Sequence, residues 1–201
     1  MYFCKQKLNK TILDFNDDIE NCLTVLNEGG IILYPTDTIW GIGCDATNAD
    51  AVKKIFSLKK RSETKSMIIL MADERDVLKY VAQPDLRVFD FLKTVKKPTT
   101  IIYDGAIGLA ENLINNDGTI AIRIVHENFC KHLIKRFRKP IVSTSANISG
   151  DTAPQFFNDI NKQIKDGVNY IVNHRQDDNT AQQPSSIIKW NKDGTQTIIR
   201  S

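Results

Sequence analysis

Cysteine and histidine are scarce in this chain, four and three among 201 residues. Cys4, Cys22, Cys44 and Cys130 stand far apart, with no Cys-x-x-Cys pair and no histidine at metal-ligand spacing. Neither a disulfide framework nor a zinc site is supported, and no metal site is expected. His126, His132 and His174 are each isolated, so they read as surface or packing residues and histidine-based catalysis has no support. Aromatic residues make up only 8% of the chain, and no stacking platform for single-stranded nucleic acid is evident. No apolar run approaches the roughly 20 residues that span a bilayer. The opening Met1-Tyr2-Phe3-Cys4-Lys5 starts no charged-then-apolar leader, so the expectation is a cytoplasmic protein with no membrane partner.

The usual signature loops are missing too. There is no Walker A sequence and no Gly-x-Gly-x-x-Gly, so nucleotide binding cannot be argued from those loops. There is no Gly-x-Ser-x-Gly elbow, and Ser143 and Ser145 have no histidine at an informative spacing, which argues against a serine hydrolase. Internal repeats, low-complexity tracts and linkers are absent, and the length predicts a single domain over residues 1–201.

What is present is a series of polar corners at strand ends. Gly29 and Gly30 release the apolar run Ile31-Ile32-Leu33-Tyr34, Pro35 stops it, and a second extended run follows Thr36-Asp37-Thr38. Such a corner suits a small polar ligand, but on pattern alone it is foremost what an ordinary hairpin looks like. Two basic clusters stand out against a net charge of only +3: Lys53, Lys54, Lys59, Lys60, Arg61 and Lys65, then Lys131, Lys135, Arg136, Arg138 and Lys139. Clusters like these are solvated helix faces or contacts for phosphate groups of a nucleotide or an RNA backbone.

Helical spacing predicts helices over 17–27, from Asn48 or Asp50 to about Leu58, over 74–80, 86–93, 129–137 (ended by Pro140) and 155–165. Strands are expected around Thr36, over 67–71, 99–103, 119–125, the short 141–142, 170–172, and in a closing hairpin of 186–190 and 197–200. Residues 1–12 read as an edge strand or lead-in, and 173–183 as a polar loop. Strands outnumber long helices and several connections have hairpin length, so an α/β fold with a mixed sheet fits better than an alternating parallel one. Arg123 interrupts the apolar row 119–125 and needs an anionic partner, from the protein or from a ligand. The run Ser143-Thr144-Ser145-Ala146-Asn147-Ile148-Ser149-Gly150 forms a second corner of small polar residues.

Pro35-Thr36-Asp37-Thr38-x-Trp40-Gly41-Ile42-Gly43, Lys59-x-Arg61, Ile122-Arg123 and Ser143-Thr144-Ser145-Ala146-Asn147-x-Ser149-Gly150 occur in that order. In order and spacing they resemble the YrdC-like family of threonylcarbamoyl-AMP synthases, over about residues 17–200. The resemblance implies a twisted, mixed, open α/β sheet with helices around a large basic cavity, in the single-domain form. It implies a nucleotidyltransferase that joins L-threonine, bicarbonate or carbon dioxide, and ATP into L-threonylcarbamoyladenylate with release of pyrophosphate, for the tRNA modification t6A37. Mg²⁺ is expected with the ATP, tRNA or tRNA-modification proteins as further partners, and a monomer or weak dimer as the state. An RNA-binding module for double-stranded RNA or tRNA without synthase activity, and a relative acting on another amine, are the competing expectations.

By the same resemblance, Lys59, Arg61, Lys65, Thr119, Ser145, Asn147, Ala153 and Arg200 would contact ATP, with Lys59, Arg61, Ser145 and Asn147 serving catalysis. Thr36, Thr38, Arg123, Ser143 and Ser185 would serve threonine, Arg123 through its carboxylate. The chain departs from the family pattern at Ser62 and Ser66, where prolines are common, at Leu70, where many members carry a histidine near the threonine, at Lys96-Lys97-Pro98, and at Ile124-Val125.

Overall fold

The computed structural model describes residues 15–62, 67–191 and 193–201. The expected lead-in at 1–12, Lys65 and Ser66 lie outside the described residues.

Helix α1 (Asn16–Asn27) turns Ile19, Cys22 and Leu26 inward and ends where Gly29 adopts a left-handed backbone, φ 69°. Its chain then enters the antiparallel pair β1 (Ile32–Tyr34) and β2 (Gly41–Gly43). The Asn48 side chain accepts from the Ala51 amide at 3.0 Å and starts α2 (Ala49–Leu58), which buries Ala51, Val52, Ile55 and Phe56. Strand β3 (Ile68–Met71), a 3₁₀ turn at Glu74–Lys79 in place of the expected helix, α3 (Arg87–Thr94) and β4 (Thr99–Tyr103) follow. After β5 (Ile120–Ile124), both carboxylate oxygens of Glu127 accept amides at the start of α4 (Asn128–Phe137). That helix ends at Arg138 in the left-handed region, before Pro140 acts.

Two further sequence expectations need correction. The strand expected at 141–142 continues as β6 (Ile141–Ser145), because Ser143, Thr144 and Ser145 pair with β3 and β2. The helix expected over 155–165 is broken into a 3₁₀ turn at Phe157–Asp159 and a short α5 (Lys162–Asp166). Asp159 and Asn161 accept backbone amides here and compete with one continuous ladder. Strands β7 (Tyr170–Ile171), β8 (Ser186–Trp190) and β9 (Gln196–Arg200) complete the chain.

The nine strands form one mixed sheet in the order β7-β1-β2-β6-β3-β5-β4-β8-β9. Alternation assigns the side chains. One face carries Ile69, Met71, Ile101, Tyr103, Ile120, Ile122, Val142 and Trp190 into a core shared with α2 and the aromatic side of α3. Toward β1, β6 and β3 the opposite face is covered by α1 and α4, which pack with Ile32, Tyr34, Leu70 and Ile141. Those two helices do not cover the rest of that face, and there the cavity lies.

The β2–β6 contact is tight. A Cβ on Gly43 would stand 2.5 Å from the Val142 carbonyl oxygen and 2.7 Å from the Tyr34 ring. Backbone on one side and a buried ring on the other leave no room to yield, so Gly43→Ala is expected to cost about 1–3 kcal/mol or more. The check is the urea midpoint, which should fall with an unchanged slope.

Candidate active site

On the open part of the sheet face is a cavity of about 370 Å³. Its floor follows the strand register. Ile68 pairs with Ser143 and Ala121, Ala121 with Ile102, and two residues further along β5 Arg123 lies between Leu70 and Thr100. Thr38, Trp40 and Gly41 form one wall, Arg61 and Ser145 another, and Pro184, Ser185, Ile199 and Arg200 a third. Of the residues expected to bind ligand, Thr38, Arg61, Arg123, Ser143, Ser145, Ala153, Ser185 and Arg200 line this one space.

Lys65 lies outside the described residues, and Thr36, Lys59, Thr119 and Asn147 do not line the cavity. Thr36 supports Thr38 from behind: the hydroxyls meet at 2.9 Å, and Thr36 Oγ1 accepts the Thr38 amide at 3.0 Å and faces the Ile39 carbonyl at 2.8 Å. Thr119 does not reach the cavity. Its hydroxyl donates to Asp117 at 2.7 Å and accepts from Asn115 at 2.8 Å, closing the turn before β5. Asn147 folds back, donating to the carbonyls of Ile148 (2.9 Å) and Asp151 (2.8 Å). Its Oδ1 is buried without a hydrogen-bond partner.

Lys59 departs furthest from expectation. It caps α2, is only 1% exposed, and does not line the cavity. Its ammonium donates to the main-chain oxygens of Ser145 and Asn147, the latter at 2.5 Å. Burial, then the neighbouring Arg61, pulls its pKa down to about 8. Lys60 follows in the left-handed region, φ 50°, and this turn lets Lys59 stay buried while Arg61 reaches the cavity.

Arg123 has the partner that the sequence demanded. Asp37, from the turn between β1 and β2, lies 3.0 Å from Nη2, the two side chains being 11% and 4% exposed. The contact is an ion pair by distance only: Nε and Nη2 of Arg123 and both Asp37 oxygens make no aligned hydrogen bond. Charge is therefore balanced while guanidinium donors remain to be satisfied. Sequence reading singled out both residues but did not join them. Nor did it find Thr100, whose hydroxyl meets that of Ser185 at 2.8 Å beside Arg123. The strand register is the signal that connects them, and it is not visible without the pairing. Leu70, expected near the amino acid, is fully buried under α1 and α4 and does not line the cavity.

Arg200 donates through Nε (3.0 Å) and Nη2 (2.8 Å) to the Ser185 carbonyl, anchoring β9 over the cavity. Its pKa is lowered by burial and then by Arg123, and that of Arg61 by burial. Among the described residues no Asp or Glu lines the cavity. Three guanidinium groups and several hydroxyls around one partly dehydrated hollow suit a small ligand carrying negative charge. Among the described residues there is no cluster of three or more His, Cys, Asp or Glu able to hold a metal ion. No helix among them is long and apolar enough to cross a membrane.

Fold and site together describe a mixed α/β sheet of YrdC-like architecture with a cavity lined by arginines and hydroxyls. The family profile described as "Telomere recombination", covering Sua5, YciO and YrdC, matches residues 24–201, and the chain belongs to that family. Threonylcarbamoyl-AMP synthase of Pseudoalteromonas translucida is 31% identical over 172 residues, 84% of this chain and 91% of the relative. The enzyme of the same name from Idiomarina loihiensis is 33% identical over 146 residues, 71% of this chain and 78% of the relative. Among solved structures, P. abyssi Sua5 complexed with L-threonine superposes with a TM-score of 0.79 at 21% identity, over 90% of this chain and 53% of that one. E. coli YciO gives 0.79 at 19% identity, over 92% and 89%.

Removing one member of a buried ion pair leaves the other stranded. Asp37→Asn should destabilise the fold by about 3–5 kcal/mol. The double change Asp37→Leu with Arg123→Met should cost less than the single one, an order that chemical denaturation of the three proteins checks directly.

Proposed function

We propose that this chain is a threonylcarbamoyl-AMP synthase, a nucleotidyltransferase of the cytoplasm acting through one YrdC-like domain. It joins L-threonine, carbon dioxide or bicarbonate, and ATP into L-threonylcarbamoyladenylate and pyrophosphate, for the t6A37 modification of tRNA. The observation that carries the reading is the convergence of Arg61, Arg123 and Arg200 with Thr38, Ser143, Ser145 and Ser185 on one cavity of about 370 Å³. The roughly 30% identity to enzymes of that name over most of the chain supports the same reading. A hollow of this size accepts small molecules and not an RNA duplex, which favours the synthase over a module that binds double-stranded RNA in the cavity.

Arg123 takes the threonine carboxylate on the donors that Asp37 leaves unsatisfied, a planar match between guanidinium and carboxylate. Thr38, Ser143 and Ser185 surround the rest of the amino acid, and Thr36 fixes the Thr38 hydroxyl. Arg61 and Ser145 face the phosphates, Arg200 and Ala153 border the nucleotide, and Lys65 follows Arg61 in the same basic run of sequence. Magnesium arrives on the triphosphate as part of the substrate.

The threonine amine captures carbon dioxide as a carbamate. A carbamate oxygen then attacks the α-phosphorus in line with departing pyrophosphate. Negative charge grows on phosphate oxygens, so fixed cations lower the barrier and no protein nucleophile is needed. The scarcity of histidine and the burial of Cys22, Cys44 and Cys130 accord with that chemistry. Burial holds each of these three thiols well above the usual range, in the unreactive protonated form.

Pyrophosphate release is expected to require ATP, L-threonine and bicarbonate together. Arg61→Ala and Ser145→Ala should each lower kcat/KM about a hundredfold, about 3 kcal/mol of transition-state stabilisation. Release that ignores threonine and follows another amine would reassign the substrate. RNA binding without any pyrophosphate release would remove the enzymatic reading.

A further inference from the structure

We propose that Lys59 is a positioning residue: its ammonium holds the turn from Ser145 to Asn147 in the shape that receives the phosphates of ATP, without touching the nucleotide itself. This rests on the synthase reading for the identity of the ligand.

The geometry is that of a staple. At one end of Lys59, Nζ donates to the carbonyl oxygens of Ser145 and Asn147. At the other end, its own carbonyl accepts the Ser149 amide at 2.8 Å. One residue at the end of α2 therefore holds the segment 145–149 at three points. Besides these contacts, the Ala146 amide donates to the Trp40 carbonyl at 3.1 Å and the Ala146 side chain is buried in the core, which holds the start of the turn and leaves residues 147–149 to Lys59. The Asn147 side chain is spent on local carbonyls, and beyond Ser145 the strand pairing has ended. Ser145 lines the cavity, so a change in the turn moves a cavity wall.

The chemistry of the contact is unusual for a buried lysine. Both acceptors are neutral carbonyls, and among the described residues no carboxylate pairs with the ammonium. Pairing those oxygens with a cation that stands outside the cavity lining turns the negative ends of two peptide groups toward Lys59 and away from an anionic ligand. The uncancelled charge adds its field to that of Arg61 at the phosphate end. Among the described residues, the charged group acting on Lys59 is Arg61, while β6 and the turn after it present carbonyls.

Protonation makes the role measurable. Because burial and Arg61 lower the folded-state pKa to about 8, Lys59 loses its proton well before an unfolded lysine does. Its burial as ammonium weighs against folding below about pH 8, and that cost fades as pH rises toward the ordinary lysine value. Nucleotide binding and stability should therefore diverge: raising the pH weakens ATP binding while this group no longer opposes folding. A lysine that merely supported the fold would not separate the two.

The experiment is calorimetric titration of a non-hydrolysable ATP analogue, and separately of L-threonine, between about pH 7.5 and 9.5, with thermal melting alongside. Wild type, Lys59→Met and Lys59→Arg are compared. Wild-type affinity for the analogue should fall about tenfold per pH unit once the pH passes the Lys59 pKa, the signature of one linked proton. Lys59→Met should bind the analogue at least about tenfold more weakly at the lowest pH, with no dependence on pH above it and threonine affinity retained. Lys59→Arg, which keeps the charge, should recover part of the loss. Wild-type affinity that is flat with pH, or Lys59→Met binding as wild type does, overturns the proposal alone. Equal losses of threonine and nucleotide binding with a lowered melting temperature overturn it as well, by making the role structural. A wild type that binds no ATP analogue overturns the synthase reading and this proposal together.

Discussion

A charged arginine in the middle of a nine-stranded sheet is the constraint on which the rest of the site depends. Arg123 occupies β5, with strands on both sides, and its side chain is almost wholly removed from water. Burying such a group without an anion would cost several kcal/mol. The turn between β1 and β2 meets that need by bringing Asp37 to 3.0 Å. The same turn carries Thr36 and Thr38, so the segment that balances the arginine also supplies the hydroxyl wall beside it. Balance of charge without hydrogen-bond alignment leaves guanidinium donors to be satisfied, and the proposed threonine carboxylate would meet them.

The cavity itself is a consequence of how the sheet is covered. Helices α1 and α4 fill one end of a face with Ile19, Leu26, Phe129 and Leu133, while toward the other end the short side chains of Ser143 and Ala121 alternate with Ile68, Ile102 and Ile187 across the cavity floor. Large apolar residues in place of those short side chains would have closed the hollow. Its walls are pinned from outside. Arg200 is tied to Ser185, Arg175 donates to the Thr36 carbonyl at 3.0 Å, and Asp18 gathers Tyr170, Asn173 and His174 where the polar loop begins.

Much of this was legible in the sequence. Periodicity located α1, α2, α4 and nearly every strand, because apolar spacing and caps such as Asn48 act locally. The requirement that Arg123 find an anion followed from its place in an apolar row, and the mixed character of the sheet from the short connections. What could not be read depended on pairing between distant strands. The union of Asp37 with Arg123, the hydroxyl contact between Thr100 and Ser185, and the burial of Lys59 against residues 86 and 88 positions away are all set by register. Thr119 and Asn147 were not placed by sequence, because side chains that suit phosphate also satisfy nearby backbone and carboxylate groups, and here both take local partners.

In the proposed synthase one hollow carries two anion sites, an amino-acid carboxylate at Arg123 and a triphosphate between Arg61 and Ser145. A crystal structure with L-threonine and a non-hydrolysable ATP analogue tests it most directly. The prediction is both ligands in the same cavity, with the threonine carboxylate on Arg123 and the phosphates against Arg61 and Ser145. Ligands bound on another surface, or an Arg123 that keeps to Asp37 while the amino acid lies elsewhere, would contradict it.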